Sequence, residues 1–513
     1  MSLPRPASTG LARIGVRHLF IGAILLLALI PAIGPVSDPD FFWHLRVGQW
    51  ILEHHAIPSH DLFTYTVSNH RFVAHEWLSE VIMAAITAVA GLGGVSLFFA
   101  VVTWGAFVGL LRTARAGYVF AGLGLAFGFA AGNPIWGPRT QMITFAFTVA
   151  LLLLLRRYRE SHDRRWLYAL PPLFLLWVNL HAGFTIGLIF LAVTVAGEFL
   201  RNRFLHPTAE GPGGGPVPMR PLLAAAGLSA LAVLANPNFA GIYLYAVQTQ
   251  FSSAQQQLIV EWFSPNFHMP EMRAFEAMLL VIIVLLALSP KKPRLTDLLL
   301  LLLGLTLALQ SVRHIALFVA AATPVMVELG QAAWDGHQDR LPRLREPRAN
   351  AVMGATNLVV LVAIAALALT TRVLPDPRSG FRSPAITKSF PVAATDFVAT
   401  DLPPGHVFNQ YGWGGYITYR LWPRASVYIY GDAAVMGDQF LNEYQGVNVL
   451  HADYLQVLDR RGVTWVMYPT GDPLVVVLQQ SPDWRLVFQD KVGSVLVRTS
   501  SETESYLARH ARL

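Results

Sequence analysis

Apolar runs of roughly 16 to 23 residues recur along this chain, at 14–36, 140–155, 166–181, 183–200, 221–236, 272–289, 295–312, 314–330 and 351–371. A helix of that length spans the roughly 30 Å hydrocarbon layer of a bilayer. Because lipid offers no hydrogen bonds to an open backbone, each run is expected to be a transmembrane helix. Composition agrees: the 513 residues are 54% apolar and only 13% charged, with mean hydropathy +0.46, which excludes an ordinary soluble globule. Three further apolar pieces, 77–91, 94–113 and 118–132, lie between Glu76 and Gly132. Arg5, Arg13 and Arg17 precede the first run and no small-residue cleavage site follows it, so that helix is expected to be retained rather than removed as a signal peptide.

Lys and Arg set the orientation. Arg156, Arg157, Arg159, Arg164, Arg165, Arg201, Arg203, Lys291, Lys292, Arg294, Arg340, Arg343, Arg345 and Arg348 all fall on the side of the N-terminal arginines, which marks that side as cytoplasmic. Keeping both flanking loops outside requires an even number of crossings between 76 and 132, so one of the three pieces must be split or re-entrant. The expected fold is a mostly α polytopic bundle of 11 or 13 helices, N-terminus inside and C-terminus outside. The connector at 207–219, PTAEGPGGGPVPM, reads as flexible from its Gly and Pro content.

After Arg372 the lipid-length runs stop. His406–Asn409, Ser426–Asp432, Thr464–Pro469, Trp484–Asp490 and Ser494–Arg498 read as strands, and 391–402, 413–421, 451–461 and 473–480 as helices. The expectation is a membrane domain over 1–371 and a small extracytoplasmic α/β domain over 372–513.

The net charge of +7 belongs to cytoplasmic loops, and no basic tract with interleaved aromatics offers a nucleic-acid platform. With no cysteine anywhere, disulfides, thiolate catalysis and Cys-based metal centres are excluded. No P-loop, dinucleotide fingerprint or H-E-x-x-H helix is present.

The chemistry concentrates in the first outer loop, 37–76. Asp38-Pro39 is a favourable helix start, with Asp38 as N-cap and Pro39 at the first helical position. Asp40 would then lie in the first turn and His44 four residues on, both on one face of a helix running to about Glu53. Phe41, Phe42 and Trp43 are expected to anchor that helix at the membrane interface. His75 and Glu76 open the next helix. Outside the C-terminal domain the only arginines assigned to the outer side are Arg46, Arg71, Arg139, Arg273 and Arg313. Each needs a local reason, either snorkelling to the headgroups or an anionic ligand. A phosphate about 4 Å from one guanidinium gains roughly 4 kcal/mol at an effective dielectric of about 20, before desolvation. Arg313 and His314 in QSVRHIALF, Arg139 in GPRTQMITF, Asn179 and His181 in LWVNLHAGF, and Glu261 in IVEWFSP stand at outer helix ends, where polar groups line cavities or are satisfied by packing.

These motifs carry a resemblance. DPDFFWHLRVGQWI, HEWLSE, WVNLHAGF, EWFSP, VRHIALF, FNQYGWGGYITYRLWP and VYIYGD, spread over most of the chain, resemble the GT-C superfamily of membrane glycosyltransferases. That superfamily includes protein O-mannosyltransferases, aminoarabinose transferases and oligosaccharyltransferase catalytic subunits. The resemblance implies an essential acid in the first outer loop, with Asp40 the better match and Asp38 the second. The Asp-Glu pair of the mannosyltransferase branch is replaced here by Asp-Pro-Asp. It further implies a multi-pass protein of the bacterial inner membrane that takes a polyprenyl-phosphate-linked sugar donor from the lipid and serves an envelope glycan, lipid or protein acceptor. Asp40, assisted by Asp38 and His44, would act as base, and Arg313, with Arg139, would hold the phosphate. Some branches use a divalent metal, Mg or Mn, which Asp38, Asp40, His44 and Glu261 would hold if folding gathers them. Two other readings stay open: a lipid or glycan transporter or flippase, whose buried charges would line a path, and a non-catalytic envelope scaffold presenting Gly412–Trp422. Polar residues gathered at outer helix ends rather than mid-span, and no inverted repeat, speak for the enzyme.

Overall fold

The computed structural model describes residues 13–113, 115–205, 215–337, 349–373 and 384–510. Most of the connector at 207–219, and Arg5, Arg340, Arg343, Arg345 and Arg348, lie outside the described residues. The chain divides into two compact units, the first 1–34, 96–235 and 261–374, the second 35–95, 236–260 and 375–513.

The first unit is helical. Among the described residues five helices are long and apolar enough to cross a membrane: Trp77–Thr113, Gln141–Ser161, Phe184–Phe204, Val312–Asp335 and Ala351–Arg372. Shorter apolar helices, Val16–Ala32, Tyr118–Ala131, Met219–Ala232 and Leu295–Gln310, stand with them. Their positions follow the apolar runs of the sequence. Ile315–Asp335 is the core element: it is buried along most of its length and packs on Leu295–Gln310, Tyr118–Ala131, Arg273–Leu288 and Gln141–Ser161. By contrast Ala351–Ala368 leaves Val352, Val359 and Val362 exposed, an apolar face suited to lipid rather than water. The run expected at 166–181 is broken into Arg165–Tyr168 and Leu170–Leu180, with Pro171 and Pro172 opening the second piece.

The three pieces between 76 and 132 are three helical segments, the first two joined across a break at Gly91 and the third Tyr118–Ala131. Trp77–Thr113 is a 37-residue helix interrupted at Gly91, whose φ is 66°. Residues 77–95 belong to the second unit, which leaves 96–113 and Tyr118–Ala131 as the pair in the first.

In the second unit a four-stranded sheet has the order β1-β2-β4-β3, with β1 His406–Asn409, β2 Val463–Pro469, β3 Trp484–Gln489 and β4 Gly493–Arg498. β1 and β2 are parallel and the other pairs antiparallel. Helices Val392–Thr400 and Pro473–Gln480 cover the sheet, burying Val398, Leu474, Val475 and Leu478 against Val466, Leu496 and their neighbours. Ser426–Asp432, expected as a strand, is not one. Its backbone is bound by the first outer loop instead: Val427 N donates to Phe63 O at 3.0 Å and Tyr65 N to Val427 O at 3.3 Å. The Asn409 side chain holds the other edge, accepting from Tyr428 N at 2.8 Å and donating to Ile429 O at 2.8 Å.

The first outer loop is therefore built into this unit. Thr66 Oγ1 donates to Tyr428 O at 2.6 Å, Trp422 Nε1 to Leu62 O at 2.9 Å and Tyr65 Oη to Val407 O at 3.0 Å. The helix Phe41–His54 packs on Gly414–Leu421. Phe42 is fully buried, edge-on to Phe390 and Tyr416 with ring centroids 5.1 Å apart in each pair. The expectation that Phe41, Phe42 and Trp43 face the membrane interface is thereby corrected: all three are core residues. Gly412–Trp422 is likewise a packing element.

Candidate active site

The helix carrying the loop's acids begins at Phe41, with Asp40 at its N-cap, so the expected start at Pro39 moves two residues along. Asp38 caps nothing helical; its carboxylate accepts from Asp40 N at 2.9 Å, a turn that orients the chain into the helix. Asp40 itself makes no side-chain cap bond. Its Oδ1 accepts from Trp43 Nε1 at 3.1 Å, and the residue stays half-buried. A Cβ on Gly431 would overlap the Asp40 carboxylate and meet Trp43 Nε1 at 2.8 Å, so only glycine fits at that position.

His44, one turn after Asp40, is buried and stacks on Trp43 with ring centroids 3.6 Å apart. Nδ1 lies 2.9 Å from Glu80 Oε1 and Nε2 3.7 Å from Glu76 Oε2. Burial works against a charged imidazole here, but Glu76, Glu80 and Asp40 together outweigh it and raise the His44 pKa to about 9. His75 follows the same logic. Its Nδ1 donates to Val73 O at 2.9 Å and its Nε2 to Glu76 Oε1 at 3.1 Å. Burial works against its charged form, but Glu76 outweighs it and raises the His75 pKa above its ordinary value. Asp432, buried in the same region, caps Ala433–Met436 through Ala434 N and Val435 N; burial pushes its carboxyl up, opposed by His75 and His44. Asp61 completes the set, accepting from Tyr430 Oη at 2.9 Å and Thr64 Oγ1 at 2.6 Å, with burial again raising it.

Sequence reasoning named Asp40, His44, His75 and Glu76 but not Glu80, Asp61 or Asp432. A signal for Glu80 existed: Glu76 and Glu80 in HEWLSE are one helical turn apart and aim both carboxylates at one face. Asp432 ends VYIYGD but carries no spacing relation to the loop.

Among the described residues no group of three or more His, Asp or Glu is arranged to hold an ion. Asp38 is turned onto backbone and His44 is engaged by two glutamates, so neither is disposed as a ligand.

The first unit holds a separate polar cluster. Residues 261–263 are fastened to 311–314: Ser311 Oγ donates to Glu261 O at 2.8 Å and Val312 N to Phe263 O at 3.0 Å. The Glu261 carboxylate is ion-paired to Arg139 and accepts from Gln141 Nε2 at 3.5 Å. Burial pushes it up, yet Arg139 and then Arg313 hold it below the ordinary carboxylate range. The Arg313 guanidinium lies over the Trp262 ring, 4.8 Å from its centroid. His314 is buried, edge-on to Trp262 at 6.2 Å. Both guanidiniums thus act on the one Glu261 carboxylate.

His181 and Asn179 are held by packing. His181 Nδ1 accepts from Gly183 N at 2.9 Å and lies 2.7 Å from Thr144 Oγ1, which accepts from Trp177 Nε1 at 3.0 Å. Asn179 Nδ2 donates to Leu175 O and Ala235 O, each at 2.9 Å.

No family model and no curated protein sequence matches the chain. Solved structures do. The archaeal oligosaccharyltransferase AglB from Archaeoglobus fulgidus, in complex with an inhibitory peptide and a dolichol-phosphate, superposes with a TM-score of 0.53 at 11% identity over 94% of this chain and 74% of that one. The chain shares the fold of that enzyme. Two further GT-C structures are similar at lower scores: ArnT from Cupriavidus metallidurans bound to undecaprenyl phosphate, TM-score 0.47, 13% identity, covering 94% of this chain and 98% of that one; and the arabinofuranosyltransferase AftD from mycobacteria, TM-score 0.49, 14% identity, covering 97% and 40%. At these identities the likeness is one of fold. With its apolar helices it makes the chain a multi-pass membrane protein of GT-C architecture.

Proposed function

We propose that the protein is an inverting glycosyltransferase that moves a sugar from a polyprenyl-phosphate-linked donor to an extracytoplasmic acceptor of the cell envelope, a glycan, lipid or protein. The GT-C fold over 94% of the chain supports the class, and AglB, which shares it, was solved with a dolichol-phosphate. The observation that carries the reading is Asp40: a half-buried carboxylate at the start of the loop helix, positioned by Trp43 Nε1 and given room by Gly431. The N-terminus is assigned to the cytoplasm and the C-terminal segment to the periplasmic or extracellular side of a bacterial inner membrane, following the arginine distribution.

Asp40 takes the proton of an acceptor hydroxyl as its oxygen attacks the anomeric carbon. The bond from that carbon to the donor phosphate oxygen breaks, the configuration inverts, and polyprenyl phosphate leaves as an anion. A phosphate leaving group needs charge stabilisation rather than an acid, so one base suffices, unlike glycoside hydrolysis with its paired carboxylates. Arg313 is assigned to the phosphate. Arg139 is committed to Glu261 and is assigned to holding that cluster.

Transfer from labelled polyprenyl-phosphate sugars in detergent tests each role alone. Asp40→Asn is expected to lower kcat by about 100-fold or more, and Arg313→Gln to lower kcat/KM by about 10-fold or more. Undiminished transfer by Asp40→Asn removes Asp40 from the mechanism.

A further inference from the structure

Arg46 pairs with Glu53 at 3.0 Å and lies over Trp422, Arg273 pairs with Glu276 at 3.0 Å, and Arg139 pairs with Glu261. Of the outer arginines, this leaves Arg71 in the second unit, which meets no carboxylate among the described residues. It lines a cavity of about 460 Å³, within the roughly 300–1,000 Å³ of small-molecule sites.

The walls are mixed, with polar side chains standing among Val73, Leu244, Ala433 and Val435. Asp438 also lines the cavity, but its oxygens are taken up by Ser252 Oγ at 2.5 Å, Ser253 N at 3.1 Å and Ser253 Oγ at 3.2 Å, which tie two turns together. Its charge is thus directed away from neutralising Arg71. Gln255 is 6% exposed and lines the cavity, its side-chain amide without a hydrogen-bond partner among the described residues. Tyr245, stacked on His75 with centroids 4.8 Å apart, adds an aromatic wall. An amide that both donates and accepts and an unpaired guanidinium together match a ligand with hydroxyls and one anionic group.

We propose that this cavity binds an acidic saccharide, Arg71 holding its carboxylate or phosphate and the Gln255 amide meeting its hydroxyls. That the saccharide is the acceptor of transfer rests on the glycosyltransferase reading; the binding does not. Calorimetric titration of the full-length protein in detergent with glucuronic acid, glucose 6-phosphate, glucose and inorganic phosphate tests it. The two acidic sugars are expected to bind at least about tenfold more tightly than glucose. Arg71→Gln should reduce them to the level of glucose, and Arg71→Lys should restore part of the affinity. Gln255→Leu should weaken both acidic sugars severalfold and leave inorganic phosphate unaffected. Equal affinity for glucose and the acidic sugars, no binding of either, or Arg71→Gln binding like the native protein overturns the site. Inorganic phosphate binding as tightly as glucose 6-phosphate, indifferent to Gln255→Leu, overturns its saccharide character. Acidic-sugar binding without any transfer sinks the enzymatic reading and leaves this one standing; transfer without such binding does the reverse.

Discussion

Gly431 and Asp40 approach so closely that a single methyl group would displace the carboxylate. Gly431→Ala is therefore expected to cost about 1–3 kcal/mol of stability and to lower transfer as far as Asp40→Asn does, because the carboxylate must leave its place beside Trp43 Nε1. Thermal unfolding and the transfer assay on the same preparation check both. His44 carries a pH signature. Its folded pKa, about 9, stands above the unfolded value of 6.5, so its contribution to stability is complete below about pH 6.5 and is lost as pH rises through about 9. Above that, Glu76 and Glu80 share a buried site with a neutral imidazole. The unfolding temperature should fall across this window in the native protein. His44→Gln should flatten that slope and cost about 3–5 kcal/mol near neutral pH, the usual penalty for removing one partner of a buried pair. An unchanged slope in the variant counts against His44 as the titrating group.

Among the elements, the arginines expected on the cytoplasmic side have a second role that a loop-charge argument does not reveal. Arg159 joins three helices, donating to Glu198 on Phe184–Phe204 at 3.4 Å and to Asp297 on Leu295–Gln310 at 2.7 Å. Glu198 is wholly buried and also accepts from Thr296 Oγ1 at 2.8 Å and Arg201 Nη1 at 3.3 Å. Glu198→Gln should destabilise the protein by about 3–5 kcal/mol, since it leaves two buried guanidiniums short of a counter-charge; a loss under about 1 kcal/mol in detergent unfolding would place the network among the solvent-screened pairs. The helices themselves were legible in the sequence, because each apolar run must cross lipid alone. Strand Ser426–Asp432 was not: its alternation and β-branched residues suit a strand, but its hydrogen-bond partners come from residues 63–65, more than 350 positions earlier, and no local pattern encodes that pairing. The helix Asp438–Asn448 was readable from Phe440, Leu441, Tyr444 and Val447, which recur at helical spacing and are all buried.

At the scale of the whole molecule, one physical fact explains both what could be read and what could not. Crossing a membrane is a property of a contiguous run, so composition and arginine bias point to helices and sides; a site is a property of residues far apart in sequence, so only pairs one helical turn apart, Asp40 with His44 and Glu76 with Glu80, carry a local signal. Glu261 and Arg139 lie 122 positions apart and no pattern links them. The sidedness remains directly testable, and this chain is unusually suited to the test because it has no cysteine to remove. Single cysteines at Ser161, just before the arginine-rich connector, and at Val449, 61% exposed in the C-terminal segment, report the two faces. In intact inner-membrane vesicles of known orientation, a membrane-impermeant maleimide should label Ser161→Cys only from the cytoplasmic face and Val449→Cys only from the opposite one. Labelling of both from the same face would contradict the arginine argument and, with it, the extracytoplasmic placement of Asp40, since the loop that carries Asp40 shares its compact unit with Val449.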